Sequence, residues 1–176
     1  MKRFLSTIFV AALVLMIARP SMAQQGEMKL GAGLAYGSEI KSIGIGAKFH
    51  YGITDQIRLA PGFVFFLPKT DGGVKQTLWN LDLDGNYIFM ENKGFTVHGI
   101  GGVNVSGYKI TTEAVVYEEL GYTSPSVEVS ETKFGFNLGA GLLYPFSDRM
   151  HLLVEGKYVI SDFDQIVISA GLMFNL

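Results

Sequence analysis

Apolar side chains recur at every second position from Met28 to the end of the chain, in eight successive segments. The first sets Leu30, Ala32, Leu34 and Tyr36 against Lys29, Gly31, Gly33 and Ala35, and the second sets Ile43, Ile45, Ala47, Phe49 and Tyr51 against Gly44, Gly46, Lys48 and His50. The third opposes Ile57, Leu59, Phe63 and Phe65 to Arg58, Ala60 and Gly62; the fourth opposes Trp79, Leu81, Leu83 and Tyr87 to Asn80, Asp82, Asp84 and Asn86. Phe95, Val97, Val103 and Val105 then alternate with Thr96, His98, Asn104 and Ser106, and Phe134, Phe136, Leu138 and Leu142 with Lys133, Gly135, Asn137 and Gly139. The last two segments set Leu152, Val154, Tyr158 and Ile160 against His151, Glu155 and Lys157, and Ile166, Ile168, Ala170, Leu172, Phe174 and Leu176 against Gln165, Ser169, Gly171 and Asn175. Neighbouring side chains of an extended strand point to opposite faces, so the pattern predicts a sheet with one greasy and one polar face. Segments of about nine to twelve residues have the length of tilted strands that cross a bilayer.

The connections alternate as well. Residues 52–55, 90–94 and 147–149 are short and rich in Gly, Asn, Asp or Ser, as tight turns require. Longer links run over 37–42, 67–76 and 109–131, with a shorter last one at 162–164. Short turns on one rim and longer loops on the other predict an all-β, eight-stranded antiparallel up-and-down transmembrane barrel, with both ends of the chain on the turn rim. Pro61 falls inside the third strand, where it has no N–H to give the ladder, so a bulge is expected near Pro61-Gly62.

Composition narrows the class. Charged residues make up 17% of the 176 residues, there is no cysteine, and glycine occurs 22 times. Disulfide scaffolds, thiolate metal sites and cysteine nucleophiles are excluded at once. The segment before the strands opens with Lys2 and Arg3, continues with eleven uncharged apolar residues from Ile8 to Ala18, and ends in Ser21-Met22-Ala23. That order is the one a secretory signal peptide shows, too short for a spanning helix. The chain therefore divides into a signal peptide at 1–23 and a barrel domain at 24–176. Removing Lys2, Arg3 and Arg19 from 14 basic residues leaves 11 against 16 acidic ones, a net −5 that gives no electrostatic case for nucleic acid.

Two barrels fit eight alternating strands: a membrane barrel with its apolar face outward, and a soluble lipocalin-like carrier of an apolar ligand with that face inward. Bulk decides. The polar faces are built mostly of Gly, Ala, Ser and Asn, which fit a narrow interior, whereas the apolar faces carry Phe, Tyr, Trp, Leu and Ile from every strand. Tyr36, Tyr51, Trp79, Tyr87, Phe89, Phe95, Tyr144 and Phe146 fall near strand ends, where interfacial aromatic belts belong. The ionised residues then point inward and must pair. A salt-bridge cluster is expected from Arg58, Asp82, Asp84, Glu155 and Lys157, with Arg58 opposite Asp84 or diagonal to Asp82. A lumen plugged in this way is not an open pore; a narrow ion channel would need a water path past that cluster.

The last eight residues, Ser169 to Leu176, place a glycine at Gly171 and apolar residues at Phe174 and Leu176. This resembles the C-terminal signal read by the barrel-assembly machinery of outer membranes, with Leu in place of the commoner terminal Phe or Trp. Together with the leader and the eight strands, the mature chain resembles the small OmpA/OmpX-type, porin-like outer-membrane barrels. The resemblance implies residence in the outer membrane of a Gram-negative bacterium among its lipids, as a monomer, with a structural or surface-interaction role. It carries no shared catalytic residue.

Catalytic and cofactor chemistry finds little purchase. His50, His98 and His151 sit on separate strands without metal-ligand spacing, and none is followed two residues later by serine. Asp82-Leu83-Asp84-Gly85-Asn86 opens like a calcium loop but lacks the later glutamate, and alternation alone accounts for both aspartates. No enzyme activity, metal or cofactor is expected. Function is sought instead in the 23 residues from Lys109 to Glu131, longer than an ordinary structureless loop. Their β-branched flanks predict a hairpin continuing strands five and six, turning near Gly121 to Pro125. Glu113, Tyr117, Glu118, Glu119 and Tyr122 would form an acidic, aromatic flap toward an extracellular partner.

Overall fold

In the computed structural model, residues 25–92, 94–112, 116–117, 122–123, 126–162 and 164–176 are described; the leader expected at 1–23 lies outside them. Among the described residues there are ten strands: β1 (Met28–Gly37), β2 (Ser42–Gly52), β3 (Ile57–Asp71), β4 (Val74–Asn92), β5 (Phe95–Thr112), β6 (Val116–Tyr117), β7 (Tyr122–Thr123), β8 (Val127–Pro145), β9 (Met150–Ile160) and β10 (Gln165–Asn175). Eight of them close a barrel in the order β1-β10-β9-β8-β5-β4-β3-β2, while β6 and β7 pair only with each other. All neighbours run antiparallel, and β1 against β10 closes the ring from Lys29↔Asn175 to Gly37↔Val167.

Both ends meet the short turns. Gly26 N donates to Gly52 O at 2.9 Å, and Asn175 N donates to Arg149 O, in the β8–β9 turn, at 3.0 Å. The wall is one layer thick, so a side chain is either inside the ring or on its outer surface. Phe134 is 80% exposed and Phe136 65%, with Leu34, Ile45, Leu81, Leu138 and Ile168 also on the outer surface. Lys29, His50, Arg58, Asp82, Asp84, His98, Glu155 and Lys157 are buried within. A soluble carrier would reverse these two sets, so the lipocalin-like alternative fails. Tyr51, Phe95, Tyr144 and Phe146 are exposed near the turn rim, and Phe63 stacks on Trp79 with ring centroids 6.3 Å apart nearer the loop rim.

The wall is not level. β9, β10, β1 and β2 span 11, 11, 10 and 11 residues. β3, β4, β5 and β8 span 15, 19, 18 and 19, and they are contiguous around the ring. β8 keeps β9 as partner only as far as Phe136↔Ile160, yet stays paired with β5 through Thr112↔Val127. One half of the barrel thus rises beyond the loop rim as a four-stranded wall.

Two expectations about the links are corrected here. Residues 67–76 do not form a long loop: β3 and β4 continue to Asp71↔Val74 and close in a two-residue turn. Gly72 and Gly73 occupy it at φ 57° and 82°, the left-handed pair that a type I′ hairpin needs and glycine adopts without strain. Nor is there a bulge at Pro61-Gly62. The β3–β4 register runs unbroken through Pro61↔Leu83 and Gly62↔Asp82, and shifts instead between Phe66 and Lys69, where Leu67-Pro68 lies. On the β2 side the pairs jump from Lys48↔Gly62 to Tyr51↔Leu59 in the same register. A missing N–H at Pro61 is therefore absorbed as a local gap rather than an inserted residue.

The interior is layered. Leu143, Leu153 and Met173 form an apolar cluster toward the turn rim. Ala35, Ile40, Phe66, Leu78, Val159 and Val167 form a second one toward the loop rim, with Val64 and Tyr108 against it. Charged and amide side chains occupy the level between.

Candidate functional site

The middle layer brings four of the five expected cluster residues together. Lys157 Nζ on β9 lies 2.5 Å from Asp82 Oδ2 and 3.5 Å from Asp84 Oδ2 on β4. Lys48 Nζ on β2 lies 2.5 Å from Glu155 Oε2 and 3.6 Å from Asp84 Oδ2. At those longer distances both ammoniums act on Asp84 as charges, not as hydrogen-bond donors, and Asp84 Oδ2 has no hydrogen bond of its own among the described residues. Its Oδ1 accepts from Asn137 Nδ2 at 2.6 Å, and Asp82 Oδ1 accepts from Asn104 Nδ2 at 2.6 Å and Asn137 Nδ2 at 2.9 Å. His98 Nε2 is 3.2 Å from Glu155 Oε1, and its ring meets that of His50 edge-on at 6.2 Å. Two ammoniums and a set of amides thus hold three buried carboxylates, which satisfies buried charge only because the members are shared.

Small residues make the layer possible. A Cβ on Gly102 would collide with Asp84 Oδ1 and the Leu83 carbonyl, and one on Gly141 would collide with the His98 ring. Ala60 and Gly62 stand opposite Asp84 and Asp82 on β3.

Arg58 is not in this cluster. Pairing that starts from Asp71↔Val74 and slips by one residue at Leu67-Pro68 brings Arg58 opposite Asn86. That is one inward step, about 6.8 Å along the strand, nearer the turn rim than Asp84. There Arg58 Nη2 lies 3.5 Å from Glu27 Oε2 and 3.7 Å from Glu91 Oε1, and Lys29 is ion-paired with Glu27. Lys48 and His98, inward-facing by their phase, are the members that reasoning about β3 and β4 alone overlooked; the signal was a lysine opposite Gly62, with space to cross the ring.

The flap residues fare differently. Glu113, Glu118 and Glu119 lie outside the described residues, while Tyr117 and Tyr122 pair in the β6–β7 ladder. Below it, Lys109 Nζ lies 2.8 Å from Glu128 Oε1, and Lys133 Nζ lies 3.3 Å from Asp162 Oδ2 and 3.4 Å from Glu131 Oε2. Asp162 and then Glu131 raise the pKa of the Lys133 ammonium at this exposed rim. Among the described residues, no group of three His, Asp or Glu side chains has the arrangement of a metal centre.

A closed eight-stranded ring with apolar residues outside and paired charges inside defines an integral membrane β-barrel. The outer membrane protein beta-barrel domain family matches residues 8–174, and the chain belongs to that family. Its place is the bacterial outer membrane. Among curated proteins none matches the chain in sequence. Several solved structures share the fold. OprG from Pseudomonas aeruginosa has a TM-score of 0.64 at 14% identity, with 87% of this chain and 97% of that one covered. The N-terminal barrel domain of Pseudomonas aeruginosa OprF has 0.60 at 17% identity, covering 86% and 98%. Ail, the attachment invasion locus protein of Yersinia pestis, has 0.59 at 14% identity, covering 86% and 99%.

Proposed function

We propose that this protein works as a monomeric, plugged outer-membrane barrel whose activity is carried on its outer surface, as a structural or adhesive element, and not through a pore or a catalytic site. The observation that carries the reading is the uneven wall. From Val127 to Thr132 β8 has no ladder partner on its β9 side among the described residues, so a strand edge stands free beyond the loop rim. An unpaired edge is a template for a partner strand, and alternating Val127, Glu128, Val129, Ser130 and Glu131 would supply its specificity. The Ail comparison supports a surface role in kind, since that protein is named for attachment and invasion.

The layered interior supports the plugged state. An ion crossing the ring would meet Leu143, Leu153 and Met173 at one level and Phe66, Leu78, Val159 and Val167 at another, with the Lys157–Asp82 level between. The leader at 1–23 would deliver the chain across the inner membrane. Gly171, Phe174 and Leu176 would then present β10 to the barrel-assembly machinery, with outer-membrane lipids against the finished wall.

The test is removal of the hairpin. Deleting Glu113 to Ser130 should leave heat-modifiable gel migration and outer-membrane residence unchanged while abolishing attachment of expressing cells to host or abiotic surfaces. Loss of barrel folding, or full attachment without the segment, would overturn the reading. Planar-bilayer recordings should show no steady conductance.

A further inference from the structure

Beyond the loop rim the tall wall turns inside out. Leu81, Val105 and Phe134 stand level across β4, β5 and β8 as an apolar row of the outer surface, and Trp79 is in the next row up. Past it the outer face is polar: Thr77, Lys109 and Ser130 form one row, and Lys75, Thr111 and Glu128 the row above. The inner face does the reverse. Tyr108 packs against the upper apolar cluster, which fixes the inward phase of its row. Ile110 and Thr112 follow in the same phase on β5, with Val129 and Val127 opposite them on β8 and Val74 beside Thr112 on β4. Side chains two apart share a face, so Ile110 and the three valines line the side toward the barrel mouth.

Alternation changes sides where hydrocarbon gives way to water, and an apolar sheet face left in water calls for cover. Val127 is 53% exposed and Val129 49%. Both belong to the strand whose β9 side is open from Val127 to Thr132 among the described residues. A lipid chain or a small apolar solute laid on the valines would leave the backbone N–H and C=O groups of that edge unmatched, whereas an added strand satisfies both. Charge gives little preference, because Glu128 is already paired with Lys109 and Glu131 with Lys133.

We propose that the β8 edge takes an extended protein segment in one phase only, with β-branched apolar side chains directed over the barrel mouth beside Val127 and Val129 and polar ones directed outward beside Glu128, Ser130 and Thr132. This rests on the surface role proposed above and names what sets its specificity. A segment added in the inverted phase would put its apolar side chains in water next to Glu128 and Ser130 and leave both valines uncovered. Val127 and Val129 are thus the specificity-determining residues of the edge, and the partner is a protein strand that alternates apolar and hydroxyl or other polar side chains.

The full folded chain in detergent micelles, titrated with a fluorescein-labelled peptide Lys-Val-Thr-Val-Thr-Val-Thr-Lys and followed by anisotropy, tests the phase. Two versions are used, N-methylated on the valines or on the threonines, so that each has a single hydrogen-bonding edge and does not stack on itself. Saturable binding of at least one is expected. Val129→Lys on the inner face should weaken it by at least about tenfold, whereas Thr132→Lys on the outer face should change it by less than about twofold, both with heat-modifiable migration intact. Should Val129→Lys not fold, Val127→Thr should still weaken binding several-fold. Binding of neither peptide, or equal loss from the inner and outer substitutions, would overturn the proposal. Cell attachment separates it from the reading beneath it: a double variant Val127→Lys and Val129→Lys should lose attachment as the hairpin deletion does. Attachment kept by the double variant but lost on deletion overturns the inner-face phase and leaves the surface role standing; attachment kept by both overturns the surface role and the proposal with it.

Discussion

Lys157 on β9 reaches across the ring to place its ammonium 2.5 Å from Asp82 on β4, although the two strands are not neighbours. β8 and β5 lie between them, so the contact is made through the interior and not along a ladder. It ties opposite walls of the barrel at mid-height.

Breaking that tie from one side leaves buried carboxylates short of a cation. Lys157→Met should lower stability by about 3–5 kcal/mol in reversible urea unfolding from micelles. Adding Asp82→Leu to the same chain should recover part of the loss, because the uncompensated charge is then removed as well. Equal destabilisation by the single and double variants would contradict the pairing.

Coupling should separate the two ionic groups. A double-mutant cycle between Lys157 and Asp82 is expected to give an interaction energy within about 0.5–3 kcal/mol, whereas one between Arg58 and Asp84 should fall below about 0.5 kcal/mol. The second value follows from the register Arg58↔Asn86, which directs the guanidinium to Glu27 and Glu91. Strong coupling of Arg58 to Asp84 would mean that β3 is paired one inward step away from this register.

Adjacent glycines on β5 should respond in opposite ways. Gly102→Val drives a side chain into Asp84 and the Leu83 carbonyl, and should cost about 1–3 kcal/mol through overpacking. Gly101→Val meets nothing within 4 Å on the outer surface and should refold as well as the parent chain. The fraction of heat-modifiable protein after refolding reads out both.

Depth in the bilayer can be probed on the outer face. Leu83→Arg, halfway up β4, should cost about 2–4 kcal/mol in folding into lipid vesicles, and Phe146→Arg, beside the turn at the edge of the greasy band, about 0–1 kcal/mol. Similar penalties at both sites would place the band elsewhere on the wall.

The eight strands and their two faces were readable because a bilayer imposes one rule along every strand: each second side chain meets hydrocarbon. That rule says which way Asp82, Glu155 and Lys157 point. It says nothing about height, since height depends on register, and register depends on single residues in the links. Gly72-Gly73 and the slip at Leu67-Pro68 together move Arg58 from Asp84 to Asn86, and neither is visible in the alternation. The same blindness hides the interior layers. Phe66, Leu78, Val159 and Val167 share the inward phase with the polar residues, so nothing in a period-two pattern marks them as plugs. The link at 67–76 likewise reads as a loop, although most of it is strand, whereas the β-branched flanks of 109–131 do signal the hairpin that carries β5 and β8 beyond the rim.

A cylinder with a level rim presents the same profile from every direction in the plane of the membrane. With β3, β4, β5 and β8 carried upward and the other four stopping short, this one acquires a front and a back. Anything travelling along the cell surface reaches the mouth freely from the β9–β10–β1–β2 flank and strikes a fence from the other. How the molecule is rotated relative to its neighbours therefore governs which objects can approach its mouth, and crowding on the low flank would close that approach without touching a single buried residue.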